Sequence, residues 1–279
     1  MDNSRYAIGR YTGMIEGRHG PMMFNRKDRF IGASLATYGE YSYAEQELFQ
    51  LLVKPGDVVI EAGAHIGTHT VGLSRLCKTL YAFEPQRLCY QQLCGNLALA
   101  ECQNVHARQE AVGMYYGTIT VPIPDPAAEN SNTGGVILPG VMEGEQVQLV
   151  PLDASGIVRC DFIKADVEEM EWDVVVGAKK LIEHCFPILY LESNHSHRRL
   201  VDLVVSMGYT PYWHVPPFFN PYNYFEHQQD IFGGIVSTNM LCLPEPRQIP
   251  NTYKVYLDDP GLDQKKGEPF KVMFEKETA

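Results

Sequence analysis

A chain of 279 residues, 45% of them hydrophobic, is long enough for one α/β domain with a substantial core, which excludes disorder as the main state. The formal net charge of -11 argues against a large electrostatic surface for nucleic acid or an anionic membrane. Because no stretch approaches the roughly 18 apolar residues of a membrane span and the start lacks the apolar core of a signal peptide, we expect a cytoplasmic protein without membrane insertion.

From Asp57 onward, short apolar runs alternate with amphipathic segments. The runs predict strands over 57–61, 80–83, 105–112, 161–166, 187–192, 209–215 and 231–243, and the amphipathic segments predict helices over 68–76, 86–100, 172–185 and 198–207. An inserted hairpin at about 114–152 interrupts this order. The alternation predicts a Rossmann-like α/β fold with a mainly parallel sheet and helices on both faces. Ligands of such sheets bind at the carboxyl ends of the strands.

The chain divides into three predicted parts. Residues 1–45 lack the alternation and are expected to form an N-terminal lid or a small β-element. Residues 46–250 form the α/β domain, and residues 251–279 form a charged, frayed C-terminal tail. The seven cysteines contain no C-x-x-C pair, which argues against a zinc or redox motif.

The first predicted strand runs into the segment 61–68, Glu-Ala-Gly-Ala-His-Ile-Gly-Thr, whose small residues allow the backbone to approach a ligand closely. Glu84, at the end of the second strand, stands where an acidic side chain accepts hydrogen bonds from ribose hydroxyls. The glycines do not form the G-x-G-x-x-G pattern of dinucleotide sites, and Glu61 would repel a pyrophosphate. A carboxylate suits an ammonium and a sulfonium group, which favours S-adenosylmethionine over NAD.

Six segments, in the same order along the chain, resemble the motifs of FkbM-family methyltransferases. They are Glu61 to Thr70 (E-A-G-A-H-I-G-x-H-T), Phe83-Glu84-Pro85, Glu110-Ala111-Val112-Gly113, Asn132-x-Gly134-Gly135, Lys164-x-Asp166-x-Glu168-x-x-Glu171 and Leu189-Tyr190-Leu191-Glu192. The chain departs from the family pattern at Glu61 (usually Asp), His65 (usually Asn) and Glu169 (usually Gly).

The resemblance implies a class I methyltransferase sheet with an antiparallel last strand, and S-adenosylmethionine as the cofactor. The cofactor-binding residues that it implies, together with the loop argument above, are Glu61, Gly63, Ala64, His65, Gly67, Thr68, Glu84, Pro85, Glu110 and Ala111. It also implies an O-methyltransferase that acts on a hydroxyl of a sugar, glycan precursor or polyketide-like metabolite. We therefore expect a small-molecule or glycan acceptor and no nucleic-acid partner.

Charged residues gather at the ends of the fourth and fifth predicted strands. Lys164, Asp166 and Glu168 alternate onto one side of an extended segment, and Glu192 and His195 follow the next strand. We expect Asp166 and Glu192 to shape the acceptor pocket, Glu168 or His195 to accept the proton, and Lys164 to orient the carboxylates or to lower the pKa of one. The alternative interpretation is that Lys164 and Asp166 form an ion pair with a purely structural role at the end of the strand.

Three further alternatives stay open on sequence grounds. Asp166, Glu192 and His195 could bind magnesium or manganese, which the spacing does not favour. The chain could be an NAD-dependent Rossmann oxidoreductase, which NAD binding would reveal. It could also be a non-catalytic nucleoside-binding module, for which cofactor binding without turnover would be diagnostic.

Overall fold

The computed structural model describes residues 6, 8–129, 131–193 and 197–263. Its strands are β1 (Thr12–Gly17), β2 (Gly20–Asn25), β3 (Val58–Ala62), β4 (Thr79–Phe83), β5 (Val105–Arg108), β6 (Ala111–Val112), β7 (Gly117–Val121), β8 (Glu145–Val150), β9 (Phe162–Ala165), β10 (Ile188–Glu192), β11 (Thr210–His214), β12 (Asn239–Leu243) and β13 (Thr252–Lys254). Its helices are α1 (Ile31–Tyr38), α2 (Tyr43–Leu52), α3 (Thr68–Ser74), α4 (Arg87–Leu99), α5 (Glu171–Gly177), α6 (Lys179–Cys185) and α7 (His197–Ser206).

The central sheet has the strand order β13-β11-β12-β10-β9-β3-β4-β5. The five strands from β10 to β5 are parallel, β12 runs antiparallel to β10 and β11, and β13 runs antiparallel to β11. The prediction of a mainly parallel sheet is confirmed. After β3 the chain first adds β4 and β5 on one side and later adds β9 and β10 on the other. The reversal lies between β3 and β9, and such a point opens a crevice at the carboxyl ends of the strands.

Both faces of the sheet are covered, so its inner strands are largely buried. All four residues of β9 are buried, as expected for a parallel strand between two helical layers. Side chains of β1, β2, α1, α2, α3 and α4 share one hydrophobic cluster on one face. Side chains of α5, α6 and α7 share a second cluster on the other face.

Three predicted elements differ from the structure. The strand predicted over 105–112 divides, because Ala111 and Val112 pair with β8 and leave the central sheet. The helix predicted over 172–185 breaks at Ala178, and Asp153 accepts hydrogen bonds from two backbone amides in the first turn of α6. The strand predicted over 231–243 is confined to β12, because Gly233 and Gly234 adopt φ of 64° and 83° just before it.

The additions to the sheet pack against its carboxyl end. In the insertion, β7 and β8 form an antiparallel pair that β6 extends to three strands. The β1–β2 hairpin is joined to α4 by reciprocal hydrogen bonds between the Met23 backbone and the Asn96 side chain. The beginning of the predicted tail is not frayed, because β13 pairs with β11. None of the helices in the described ranges is both long and apolar enough to span a membrane.

Candidate active site

A solvent-open cavity with an empty volume of about 1240 Å³ lies at the carboxyl ends of β3, β4, β9 and β10. The predicted site residues in its lining are Glu61, Gly63, Ala64, His65, Thr68, Glu84, Pro85, Glu110, Ala111, Lys164, Asp166, Glu168 and Glu192. Gly67 is not part of the lining: a Cβ there would lie 2.8 Å from Leu93 of α4, so this glycine permits helix packing. His195 lies outside the described residues.

The turn after β3 forms the floor of the cavity. Gly63 has φ of 83°, and a Cβ at this position would lie 1.8 Å from the backbone oxygen of Asp166. The amides of Gly63 and Ala64 both donate to the Phe83 carbonyl, at 2.9 and 3.0 Å. Glycine is therefore required at 63 by both backbone conformation and space. This packing brings the ends of β3, β4 and β9 together.

Glu84, which the sequence predicts to bind the cofactor ribose, is buried directly after β4. One carboxylate oxygen accepts a hydrogen bond from the His65 amide and the other from the Gln86 amide, both at 2.8 Å. Burial raises the pKa of Glu84 to about 7, although these two hydrogen bonds oppose the rise. Each oxygen keeps a second lone pair, so the carboxylate can also accept from two neighbouring hydroxyl groups.

Two buried acceptor atoms stand near Glu84 in the same lining. Within the described part of the chain, the Gln86 Oε1 and Glu110 Oε2 atoms have no hydrogen-bond partner. A buried polar atom without a partner is costly, and such atoms in a cavity indicate a ligand that completes them. Because both are acceptors, the group they favour is a donor such as an amine.

The insertion contacts the Glu84 end of the cavity through Thr133. Its hydroxyl lies 2.9 Å from His65 Nε2 and donates to Asp28 at 3.2 Å, while its carbonyl accepts from the Gln86 side chain at 2.7 Å. We call the contact of Asp28, Thr133 and His65 the threonine junction. It joins the N-terminal segment, the insertion and the turn after β3.

At the other end of the cavity, Lys164 lies among carboxylates. Glu61 and Lys164 are register partners on β3 and β9, and Lys164 Nζ lies 3.7 Å from Glu61 and 3.2 Å from Asp166. Glu61 also accepts a hydrogen bond from Thr70 at 2.7 Å. Burial alone would lower the pKa of Lys164, but the carboxylates of Asp166, Glu61 and Glu45 together raise it. Lys164 is therefore a buried ammonium.

Asp166 and Glu192 form a hydrogen-bonded pair of acids. Burial opposes ionisation of Asp166, yet Lys164 and the hydrogen bond from Glu192 bring its pKa below the usual value. Burial and the neighbouring charges of Asp166, Glu168 and Glu171 raise the pKa of Glu192 well above its usual value. These opposite shifts favour the proton on Glu192, which would then donate to ionised Asp166.

Glu168 belongs to the same group. One carboxylate oxygen from each of Asp166, Glu168 and Glu192 lies within 4.8 Å of the others, and hard divalent cations prefer such oxygen ligands. Glu168 and Glu169 both adopt left-handed backbone, with φ of 52° and 75°. The glycine that the family pattern has after Glu168 would suit this conformation better than Glu169 does.

The Methyltransferase FkbM domain matches residues 61–211, more than half of the chain, from the end of β3 to the start of β11. The chain belongs to the FkbM methyltransferase family. The resemblance inferred from the six motifs is therefore confirmed. Among curated proteins none matches the chain.

Solved structures resemble this FkbM domain at low sequence identity. The FkbM methyltransferase of Methylobacillus flagellatus KT is 16% identical with a TM-score of 0.45, over 77% of this chain and 55% of that one. This chain thus spans about half of that protein's length. An rRNA methylase from Streptococcus thermophilus is 10% identical with a TM-score of 0.42, over 72% and 95% of the two chains. TYW2 of M. jannaschii, in complex with AdoMet, is 12% identical with a TM-score of 0.44, over 83% and 85%.

The cavity also contains residues that the sequence analysis missed, among them Glu45, Phe30 and Tyr41. Glu45 lies in α2, before the matched region, and is 4% exposed. The signal was available: Glu45 occupies the same helix face as Leu48, one turn further along and equally buried. An acid at a core position of an amphipathic helix indicates a special environment.

Residues 216–225, between β11 and β12, form a loop rich in aromatic side chains, which we call the aromatic loop. This loop packs against the outer side of the cavity wall. Phe218 packs against Phe30 and Tyr41, with ring centroids 6.1 and 5.6 Å apart. Buried Glu40 holds the loop by accepting from the Asn220 side chain at 2.8 Å and the Tyr224 amide at 3.0 Å, and it pairs with Arg18. The loop positions the wall instead of lining the cavity.

Proposed function

We propose that this protein transfers a methyl group from S-adenosylmethionine to a hydroxyl oxygen of a sugar, a glycan precursor or a polyketide-like metabolite. The observation that best supports this proposal is that one cavity contains two different carboxylate sites. Glu84 offers two acceptor oxygens at one end, and the group around Lys164 and Asp166 lies at the other. Membership of the FkbM methyltransferase family supports the reaction class.

The residues present fit the cofactor. Glu84 would accept from the ribose hydroxyls, and the unpartnered acceptors of Gln86 and Glu110 would accept from the adenine amino group. Gly63 leaves the floor free of a side chain. Glu61 would attract the ammonium group of the cofactor and repel the pyrophosphate of NAD, which supports the methyl donor over the dinucleotide.

When bound, S-adenosylmethionine supplies an electrophilic methyl group, which an acceptor oxygen attacks while the S–C bonding electrons stay on sulfur. Asp166 and Glu192 would hold the acceptor hydroxyl, the first as hydrogen-bond acceptor and the second as donor. Lys164 keeps Asp166 ionised for this task. Orientation of the oxygen along the line of attack does much of the work in such a displacement. Glu168, in the lining, and His195 stay predicted proton acceptors.

The proposal does not include a divalent cation. A proton shared by Asp166 and Glu192 would lie between two of the three acidic oxygens, and Lys164 compensates the charge of Asp166. A methyltransferase assay after EDTA treatment, with Mg²⁺ or Mn²⁺ added back, tests this: activity that requires the added ion would reverse the choice.

Calorimetric titration with S-adenosylhomocysteine, with NAD in parallel, tests the cofactor assignment. We expect binding of the first and none of the second; the reverse would overturn the proposal. Transfer of a labelled methyl group to pools of sugars, sugar nucleotides and polyketides then tests the acceptor, with total RNA as the comparison. Labelling of RNA alone would overturn the acceptor class, and cofactor binding without any labelled product would favour the binding-module alternative.

A further inference from the structure

Glu45 is a buried acid in the cavity that the reaction outlined above does not use. We propose that Glu45 takes up the proton of the acceptor hydroxyl as the sulfonium charge of the donor disappears. This inference rests on the proposed function and adds to it the residue that couples loss of the methyl group to proton uptake.

Glu45 is held in one orientation by neighbours on both sides. It lies in the first turn of α2, where the Ser42 hydroxyl donates to Oε1 at 2.7 Å. The Tyr190 hydroxyl of β10 also faces this carboxylate and lowers the pKa of Glu45. Tyr190 in turn lies 2.8 Å from Nδ1 of buried His214. If the His214 proton sits on Nδ1, the chain His214–Tyr190–Glu45 directs each donor toward the carboxylate.

Unlike Glu61 and Asp166, Glu45 is not neutralised by a short ion pair within the described residues. Lys164 lies within 4.0 Å of Glu61 and Asp166, and no ion pair of that length in the described ranges includes Glu45. Burial raises the pKa of Glu45 to about 7, with Lys164 and the Ser42 hydrogen bond opposing the rise. A base is most effective when its pKa lies close to the working pH.

The charges around Glu45 make its protonation sensitive to the donor. The titratable groups that share this end of the cavity are Tyr41, Glu61, His69, Lys164, Asp166, Glu168 and Glu192, with Tyr190 behind them. One ammonium therefore faces several acids, and a bound sulfonium adds a second positive charge. A cation beside a carboxylate favours its ionised form, so Glu45 would be ionised while the donor is intact.

The charge and atom balance of the reaction matches this behaviour. The acceptor oxygen forms its bond to the methyl carbon and releases its proton, and the sulfur becomes a neutral thioether. The Glu45 carboxylate gains that proton at the stage when the neighbouring positive charge is lost. The positive charge lost from the sulfonium is thus replaced by the proton gained by Glu45. The net charge of the cavity is unchanged, and no further reactant is needed.

The test compares the affinities of S-adenosylmethionine and S-adenosylhomocysteine for the whole protein, by calorimetry from pH 6 to pH 8.5. The sulfonium lowers the proton affinity of Glu45, so its pKa is lower in the donor complex than in the product complex. The preference for the donor is therefore small below both values and rises with pH between them. We expect a rise of about tenfold, which corresponds to one pKa unit of interaction. Titration of Glu84 cancels from the ratio, because both ligands carry the ribose.

Amino-acid variants test whether Glu45 causes the rise with pH in the preference for the donor. It should vanish in Glu45→Gln, which keeps an oxygen for Ser42, and persist in Glu47→Gln, a matched change at an exposed position of the same helix. In Tyr190→Phe the rise should persist with its midpoint at higher pH, because the ionised carboxylate loses the Tyr190 hydroxyl that lowers the pKa of Glu45. Thermal melting checks that each variant is folded.

The outcomes separate this inference from the proposed function. A rise that is unchanged in Glu45→Gln, or that is lost in Glu168→Gln alone, would overturn the assignment to Glu45 while the cofactor assignment stands. A wild-type protein that binds both ligands with a constant ratio would also overturn it. A wild-type protein that binds neither ligand would instead overturn the proposed function.

Discussion

The carboxyl groups of Asp166 and Glu192 lie at the ends of adjacent parallel strands and are within hydrogen-bonding reach of each other, an arrangement that favours one proton shared between the two acids. The pair stays asymmetric because Lys164 lies 3.2 Å from Asp166 and stabilises its charge. One carboxyl group can therefore donate to an acceptor hydroxyl while the other accepts. Each of the two roles depends on the protonation state of its residue.

Asp166→Asn should separate acceptor positioning from cofactor binding. The amide keeps the shape of the side chain but loses the charge that pairs with Lys164 and receives the Glu192 proton. We expect turnover to fall by about 100-fold, the scale of a misplaced reactant, with little change in the affinity for S-adenosylhomocysteine. Steady-state kinetics and calorimetry measure the two effects. A collapse of cofactor affinity would move Asp166 into the cofactor site.

Glu84→Ala should weaken the binding of S-adenosylhomocysteine. Hydrogen bonds to a charged group contribute about 1.5–3 kcal/mol, so we expect the affinity to fall roughly tenfold or more. Glu84→Gln is the matched variant, since it retains one acceptor oxygen for the His65 or Gln86 amide and should fall less. Calorimetry at pH 8 provides the comparison, and an unchanged affinity in the alanine variant would remove the ribose assignment.

The buried acids should make the ligand-free protein less stable as pH rises from 4.5 through about 7. Burial raises the pKa of Glu45, Glu84 and Glu171 from 4.5 to about 7. Between these values the folded state binds more protons than the unfolded state, so the free energy of unfolding falls with rising pH. The loss is complete once pH exceeds the folded pKa. We expect Tm to drop from pH 6.5 to pH 8, and to drop less in Glu45→Gln.

Buried histidines act in the opposite direction on the acid side. Burial lowers the pKa from 6.5 to about 4 in His19 and His214 and to about 3 in His69. Below pH 6.5 the unfolded state binds more of these protons, so their contribution to stability is lost as pH falls. The acids and histidines offset each other between pH 4.5 and 6.5. A Tm maximum in that interval is expected, and a Tm that rises steadily to pH 8 would contradict both assignments.

Glu169→Gly should stabilise the protein. Glu169 is exposed and has φ of 75°, a conformation that costs a residue with a Cβ about 1 kcal/mol. Glycine adopts it freely, although its own flexibility in the unfolded chain reduces the gain. Urea unfolding at pH 6 measures the difference, with exposed Glu47→Gly in the interior of α2 as a control that should destabilise. A decrease in stability for Glu169→Gly would mean that the side-chain contacts of Glu169 outweigh the strain.

The ends of the strands could be predicted from sequence because the signals there are local. Apolar runs end in Glu61, Glu84, Lys164-Ala-Asp166 and Glu192, and parallel strands place such ends on one edge. The departure of Ala111 from the sheet could not be predicted, because it depends on pairing with Leu149, which lies 38 residues later. The place of Glu45 on the buried face of α2 could be predicted, but its approach to Lys164 and Tyr190 could not, because that depends on how α2 packs on the sheet.

Gly67 illustrates the limit of reading a motif one residue at a time. The family pattern places this glycine in the cofactor loop, and its φ of 89° agrees with a tight turn. Its open side, however, faces Leu93. A pattern gives the backbone conformation of such a residue, whereas the packing partner is known only from the fold.

The contact between Gly63 and the Asp166 carbonyl has a consequence for redesign. The turn after β3 and the segment after β9 meet there without room for one added methyl group, so a side chain at position 63 would force them apart. Engineering a new acceptor therefore cannot begin on the floor. The aromatic loop and the insertion lie outside the β3–β9 pair, so changes to the size of the cavity are better made there.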